Sequence, residues 1–463
     1  MLTTLRNRDF ALLWLGGLIS LAGDWTLQIG LPIALYALTR SVAVLSVSLL
    51  ASLLPSVVFG SVAGVLIDRW DRRRTLIISN TLLALLLTPL LLLHTANAVW
   101  LVYVTLFVEA CLEQFTRPTE SALLPALVTP ERLVSANGLI SVASNVARLC
   151  GPALGGVIAI AYGLTGVTLA DAASFLIAAL LFTLIRSPRQ AQPSEAPVGE
   201  PVTERAAEVE RTLWAALAHA ARDWRDGLTI IFHQRTLALI FLVFSVTSIG
   251  EGIMGTLFVV FMTVNAHGDA RAYGGTMSAQ AVGGLLGGGL VALIGGRLTS
   301  RWSLFISATL FGAIDLAIFN APNYFPLLAP LLAGAPWASR LSLIGYLLAL
   351  FVIVGAPGVA LISGLQSLIQ QVSPERYLGR VFGALGACSA LFLGVGVTLA
   401  GWLGPRLGVI PLLNAQGAGY IVMGLLLVAL LAPTPARQDT SLPNARGESV
   451  DTVTPGADAS PAP

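Results

Sequence analysis

Asp24, Glu109, Arg148 and Glu251 each stand inside a long apolar run. Counted from the arginine-flanked end of each run, all four lie about 20 Å in, at roughly 1.5 Å per helical residue. A carboxylate at that depth is costly unless it is paired, binds a cation or carries a proton. Burial favours the neutral carboxyl and a nearby guanidinium favours the carboxylate. An arginine that approaches and withdraws can therefore make a carboxyl release and regain a proton. In VEACLEQFTRPTE, Glu109, Glu113, Arg117 and Glu120 share one helical face. The i,i+4 spacing of Glu113 and Arg117 predicts an ion pair. Arg148, in the next run, is a partner for Glu109, and the pair either locks two helices or competes with a proton. Asp24 and Glu251 have no arginine within reach in their own runs. They are expected to couple protons, to bind a cationic substrate, or only to hydrogen-bond to backbone. Trp25 and Gln28 can offer a guest a stacking face and a hydrogen bond, or simply pack.

The elements that hold these residues are membrane spans. The chain has 463 residues, of which 56% are hydrophobic and 11% charged; a soluble protein carries about 25% charged residues. The net charge of +2 gives no sign of a nucleic-acid partner. Cys111, Cys150 and Cys388 sit in apolar runs without metal-like spacing and read as small packing residues. The first apolar run is too long for a cleaved signal peptide and is expected to remain as a span.

Runs near 10–38, 44–67, 75–94, 98–121, 133–161 and 164–185 are followed by 236–264, 273–296, 303–320, 342–371, 380–403 and 408–432. Each approaches or exceeds the roughly 20 residues a span requires. The expected fold is all-α: twelve transmembrane helices in two pseudo-symmetric six-helix bundles, residues 1–186 and 236–432. Between them, 187–235 reads as a cytoplasmic linker, with an amphipathic surface helix over 208–232. The Pro-rich tail 433–463 reads as disordered. With both termini cytoplasmic, the outer loops keep only Arg40, Arg271, Arg340 and Arg406, so arginine placement predicts that orientation in a cell membrane.

The halves are related in sequence. A shift of 227 lays FALLWLGGLISLAGDW over LALIFLVFSVTSIGEG, matching Gly23-Asp24 to Gly250-Glu251 (251 − 24 = 227). The same shift pairs Gly60 with Gly287 and Arg74 with Arg301. VTPERL at 128–133 matches VSPERY at 372–377 with a shift of 244, the extra residues being assigned to a longer outer connection near 321–341. Parallel repeats are related by an axis along the membrane normal. Asp24 and Glu251 are then expected to face each other across one cavity.

GVLIDRWDRRRTL carries Gly64, Asp68, Arg69, Arg72 and Arg73 at the spacing G-x-x-x-D-R-x-x-R-R. This resembles the major facilitator superfamily signature between helices 2 and 3, with Asp71 where that pattern has glycine. The variant is similar to the branch of enterobactin exporters and macrolide efflux proteins. The resemblance implies a cytoplasmic gate, in which a carboxylate caps a helix N-terminus of the other half and the arginines latch until that side opens. The plainer reading is a positive-inside loop. In ARLCGPALGGVIA, Gly151, Pro152, Gly155 and Gly156 resemble the G-P-x-x-G-G stretch of antiporters and exporters, with Ala147 replacing its upstream glycine. The resemblance implies a helix-5 hinge and export; proline and small residues are also common in membrane helices generally.

Asp171 is read as structural near the outer end, Asp315 as a packing residue on a peripheral helix, and Gln366, Gln370 and Gln371 as the polar inner end of a helix at the cytoplasmic mouth. His94, at an outer helix end, is ordinary. With no P-loop, nucleophile elbow or metal-ligand set, neither catalysis nor a bound metal or cofactor is expected. The resemblance implies a secondary transporter that exports a small amphipathic molecule, drug-like, macrolide or siderophore, by alternating access with proton antiport. Its partners are that molecule, protons and the bilayer. A narrow metabolite exporter, or a non-transporting sensor or scaffold on the same fold, is the alternative.

Overall fold

The computed structural model describes residues 4–67, 70–186, 222, 224–294, 299–332, 342–373 and 377–431, and among these there are helices and no strand. The first four long helices are α1 (Arg8–Thr39), α2 (Val42–Ile67), α3 (Arg72–Leu86) and α4 (Val99–Leu127). Leu133–Thr183 is continuous in hydrogen bonding but breaks at Gly163, where φ is 62° and ψ −157°. That conformation belongs essentially to glycine, and it divides the stretch into α5 (133–162) and α6 (164–183). The remainder are α7 (Arg235–Val260), α8 (Ala270–Ile294), α9 (Arg301–Leu332), α10 (Leu343–Val372), α11 (Leu378–Leu407) and α12 (Val409–Leu430). A 26-residue helix such as α2 is about 39 Å long, enough to cross a hydrocarbon core of about 30 Å. Side chains fix several starts: the Asn7 carboxamide oxygen accepts from Asp9 and Phe10 N–H, and the Ser342 hydroxyl accepts from Gly345 N–H.

Helix pairing repeats with a step of six. α2 packs on α4 as α8 packs on α10, α3 on α4 as α9 on α10, and α1 on the α5–α6 stretch as α7 on α11 and α12. The seams between the halves obey the same rule, α5 against α8 and α11 against α2. Both seams are tight at the end of the bundle away from the chain termini. There, a Cβ on Gly156 would meet the Ala270 carbonyl and the Arg271 backbone, and one on Gly401 would meet Ser46.

The twelve expected helices are present, with two differences. The ninth runs to Leu332 through Pro322, Pro326 and Pro330, beyond the expected end at 320. Prolines four residues apart lie on one face, and the helix continues through them. Of the expected linker helix, residues 224–233 are helical and the part before 222 lies outside the described residues. The described part is not a free surface helix. Asp226 lies 3.7 Å from Arg380 of α11, Ile231 is buried, and Gly227 fits against the Arg380 carbonyl.

Candidate functional site

A chamber of about 980 Å³ lies between the halves. Trp25, Gln28, Asn145 and Arg148 line it from the first half; Glu251, Phe258, Tyr273, Met277, Gln280, Phe311, Leu365 and Tyr420 are among those from the second. Mostly apolar walls with a few convergent polar groups are the usual make-up of a small-molecule site. Glu251 is exposed to the chamber and its Oε1 accepts a 2.9 Å hydrogen bond from the Tyr420 hydroxyl. The Tyr420 ring lies 4.5 Å from that of Phe311. Arg148 is the second charge on the wall and forms no ion pair among the described residues. Tyr420→Phe removes the hydrogen bond to Glu251 and is expected to lower stability by about 0.5–1.5 kcal/mol, read as an earlier thermal unfolding of the purified protein.

On the terminal side of the chamber two helices carry exposed polar faces. On α5, Asn137, Ser141, Ser144, Asn145 and Arg148 are exposed at helical spacing, a stripe missed in sequence because small polar residues are unremarkable one at a time. On α10, Gln366 and Gln370 follow chamber-lining Ile362 on one face, and Gln371 is exposed beside them.

Asp24 does not line that chamber, which corrects the expectation that it faces Glu251. It borders a second cavity of about 360 Å³ with Glu109, Glu113 and Arg117, enclosed by α1, α2, α4 and α7. Trp25, Gln28 and Gly255 line both spaces. The repeat nevertheless survives in the packing. Gly23 lets α1 press on Asp171 and Ser174 of α6, and Gly250 lets α7 press on Gln416 of α12. The acid after each glycine is thereby presented to a different neighbourhood.

Arg117 Nη2 lies 3.3 Å from Glu113 Oε1, as the spacing predicted, and 3.8 Å from Asp24 Oδ2. Arg148 is not placed with Glu109, which instead clusters with Asp24 and Asp171: one carboxylate oxygen from each lies within 4.8 Å of the others. Asp171, read as structural near the outer end, is fully buried. Its α6 position, eight residues from the Gly163 break, is about 12 Å deep, and this count was the available signal. Asp315 is also buried, at 2% exposure, on the face of α9 turned toward the core.

In the motif between α2 and α3, Gly64 lies in α2, while Asp68 and Arg69 lie outside the described residues. Asp71 caps α3, accepting from Arg74 N–H at 2.7 Å. Arg72 Nη1 donates to the Ala122 carbonyl at 2.6 Å, and Arg73 donates to the carbonyls of Phe182 and Thr183. These bonds stay within the first half: Arg72 reaches α4, and the Arg73 guanidinium suits the carbonyl-rich end of α6. The stretch Gly151-Pro152-x-x-Gly155-Gly156 runs as unbroken helix. Gly151 and Gly155 receive α1 at Trp25 and Thr26, and Gly156 receives α8. It serves close packing of three helices, and the backbone break is at Gly163 instead.

Two parallel six-helix bundles around a membrane-depth chamber define a transporter. The sequence matches the Major Facilitator Superfamily over residues 13–344; the chain belongs to that superfamily. It is 25% identical to macrolide efflux protein A of Streptococcus pyogenes over 86% of this chain and 90% of that one. It is 26% identical to the enterobactin exporter EntS of Salmonella typhimurium (strain LT2), over 91% and 92% respectively. A crystal structure of a mutant of the nucleoside transporter NupG superposes with a TM-score of 0.66 at 11% identity, over 92% of this chain and all of that one. This last likeness speaks for the fold alone.

Proposed function

We propose that the protein exports an amphipathic small molecule from the cytoplasm by alternating access, driven by proton antiport, with both termini cytoplasmic in a cell membrane. The observation that carries this reading is the chamber of about 980 Å³ between the halves. It is closed at the α5–α8 and α2–α11 seams and has exposed polar faces on its terminal side. With the arginine-rich end inside, this is the inward-open state, ready to load from the cytoplasm. Glu251, held by Tyr420, receives a cationic group, while Phe258, Phe311, Met277 and Leu365 take the apolar body. Asp24, Glu109 and Glu113 carry the proton side of the exchange, with Arg117 as the competing cation. Gln28, on the wall of both cavities, is the side chain through which occupancy of one is felt in the other. Asp68, Arg69, Arg72 and Arg73 form the cytoplasmic gate with Gly64, and Pro152 and Gly156, packed on α8, belong to the contact about which the halves rock. Export by the two named relatives supports the direction.

The test is efflux of lipophilic cations and macrolides from pump-deficient bacteria, with and without a protonophore, beside Asp24→Asn at matched expression. Protonophore-sensitive efflux that falls at least about tenfold in Asp24→Asn is expected, the range assigned to a lost charge-assisted contact. Efflux indifferent to both the protonophore and the substitution would remove antiport through this carboxyl.

A further inference from the structure

We propose that Asp24, Glu109 and Asp171 form a binding site for a hard divalent cation, set inside the first half and separate from the substrate chamber. It was not expected from the sequence, where no metal-ligand spacing is visible. The three carboxylates come from α1, α4 and α6, and only the fold brings them together. One oxygen of each lies within 4.8 Å of the others. Three oxygens evenly spaced around a cation at up to about 2.6 Å are about 4.5 Å apart, so small side-chain rotations from the present spacing let the three close on one ion.

A second observation is independent of that proximity. Asp24 Oδ1, Glu109 Oε2 and Asp171 Oδ2 are all buried and accept no hydrogen bond from the described residues. Asp171 is wholly buried, and its other oxygen is already taken by the Ser174 hydroxyl at 3.3 Å. Arg117 does not satisfy the cluster: it approaches Asp24 through Oδ2 and is shared with Glu113. Three acidic groups that approach one point thus each hold a buried, unbonded oxygen, with one shared guanidinium beside them. A buried polar atom without a partner is costly, and a positive ion at that point would bond all three at once.

The donor chemistry selects the ion class. Carboxylate oxygens, with a hydroxyl and the Gln28 carboxamide nearby, suit Mg²⁺, Ca²⁺ or Mn²⁺ over metals that prefer thiolate or imidazole. The cavity of about 360 Å³ that borders Asp24 and Glu109 leaves room for the waters such an ion keeps. A cation here replaces protons on the groups assigned to antiport. The inference therefore deepens the proposed proton side, and its readout does not depend on transport.

The experiment is titration of the purified full-length protein with Mn²⁺ at neutral pH, following free Mn²⁺ by its electron paramagnetic resonance signal. One saturable ion per chain, displaced by excess Ca²⁺, is expected. Asp171→Asn and Glu109→Gln should each weaken it by at least about tenfold, while Glu131→Gln, on an exposed carboxylate, should not. Two ligand variants keep the test alive if one fails to fold, judged by monodispersity on gel filtration. Absence of saturable Mn²⁺ binding in the wild type, or equal binding in both ligand variants, overturns the site. Mn²⁺ binding retained by a protein that shows no efflux would leave the site standing and sink the export reading alone.

Discussion

Glu251→Gln is expected to lower efflux of a lipophilic monocation by about 10–100-fold at unchanged expression, and efflux of a neutral compound of similar size far less. The chamber carries one carboxylate and one guanidinium near its middle, Glu251 and Arg148. Tyr420 donates to Glu251 at 2.9 Å, and Phe311 packs on the Tyr420 ring, so the carboxylate is held in place before a guest arrives. A hydrogen bond to a charged group is worth about 1.5–3 kcal/mol, and each 1.4 kcal/mol is tenfold in affinity. Removing the charge also leaves Arg148 as the dominant field in the chamber, which repels a cation. Dose–response curves for a cationic dye and an uncharged macrocycle, in cells carrying either form, check this. An equal loss for both would mean that Glu251 acts in folding or coupling and does not read substrate charge.

Gly156→Val and Gly274→Val are expected to open the seam between α5 and α8 and shift the protein away from the inward-open state proposed for it. A Cβ on Gly156 would fall on the Ala270 carbonyl, and one on Gly274 on the Pro152 carbonyl. Both obstacles are backbone, so neither can rotate aside as a side chain would. Overpacking of this kind costs about 1–3 kcal/mol, and it acts only while this end is closed. The expected change in the inward-to-outward ratio is therefore about 5–150-fold. Gly386→Ala, where a Cβ meets nothing, is the control. Ser389 lines the chamber, so Ser389→Cys in a background without Cys111, Cys150 and Cys388 reports access. An impermeant thiol reagent should label it from outside intact cells in the valine variants, and from inverted vesicles in the parent. Labelling from the same side in all of them would show that the seam does not control the equilibrium.

Helix number, the expected orientation and the repeat were legible from residue order because each depends on quantities that add along the chain. Twenty apolar residues span a bilayer whatever their neighbours, and arginine flanks bias orientation one loop at a time. The match of Gly23-Asp24 to Gly250-Glu251 also needed no tertiary information, nor did the Glu113–Arg117 pair, whose spacing lies within one helix. Which face of each helix meets which neighbour was another matter. In a soluble protein an apolar stripe marks the buried side; here α1, α2, α7 and α12 are apolar nearly all round, and periodicity does not mark their rotation. Only the packed structure decided that Asp24 joins Glu109 and Asp171, that Arg148 shares a chamber with Glu251, and that Arg72 and Arg73 bond within their own half. The physical reason is that small residues set rotation in a membrane bundle. Gly23 seats α1 on Ser174, Gly250 seats α7 on Gln416, and those contacts, unmarked in the hydropathy of the chain, determine where each buried charge points.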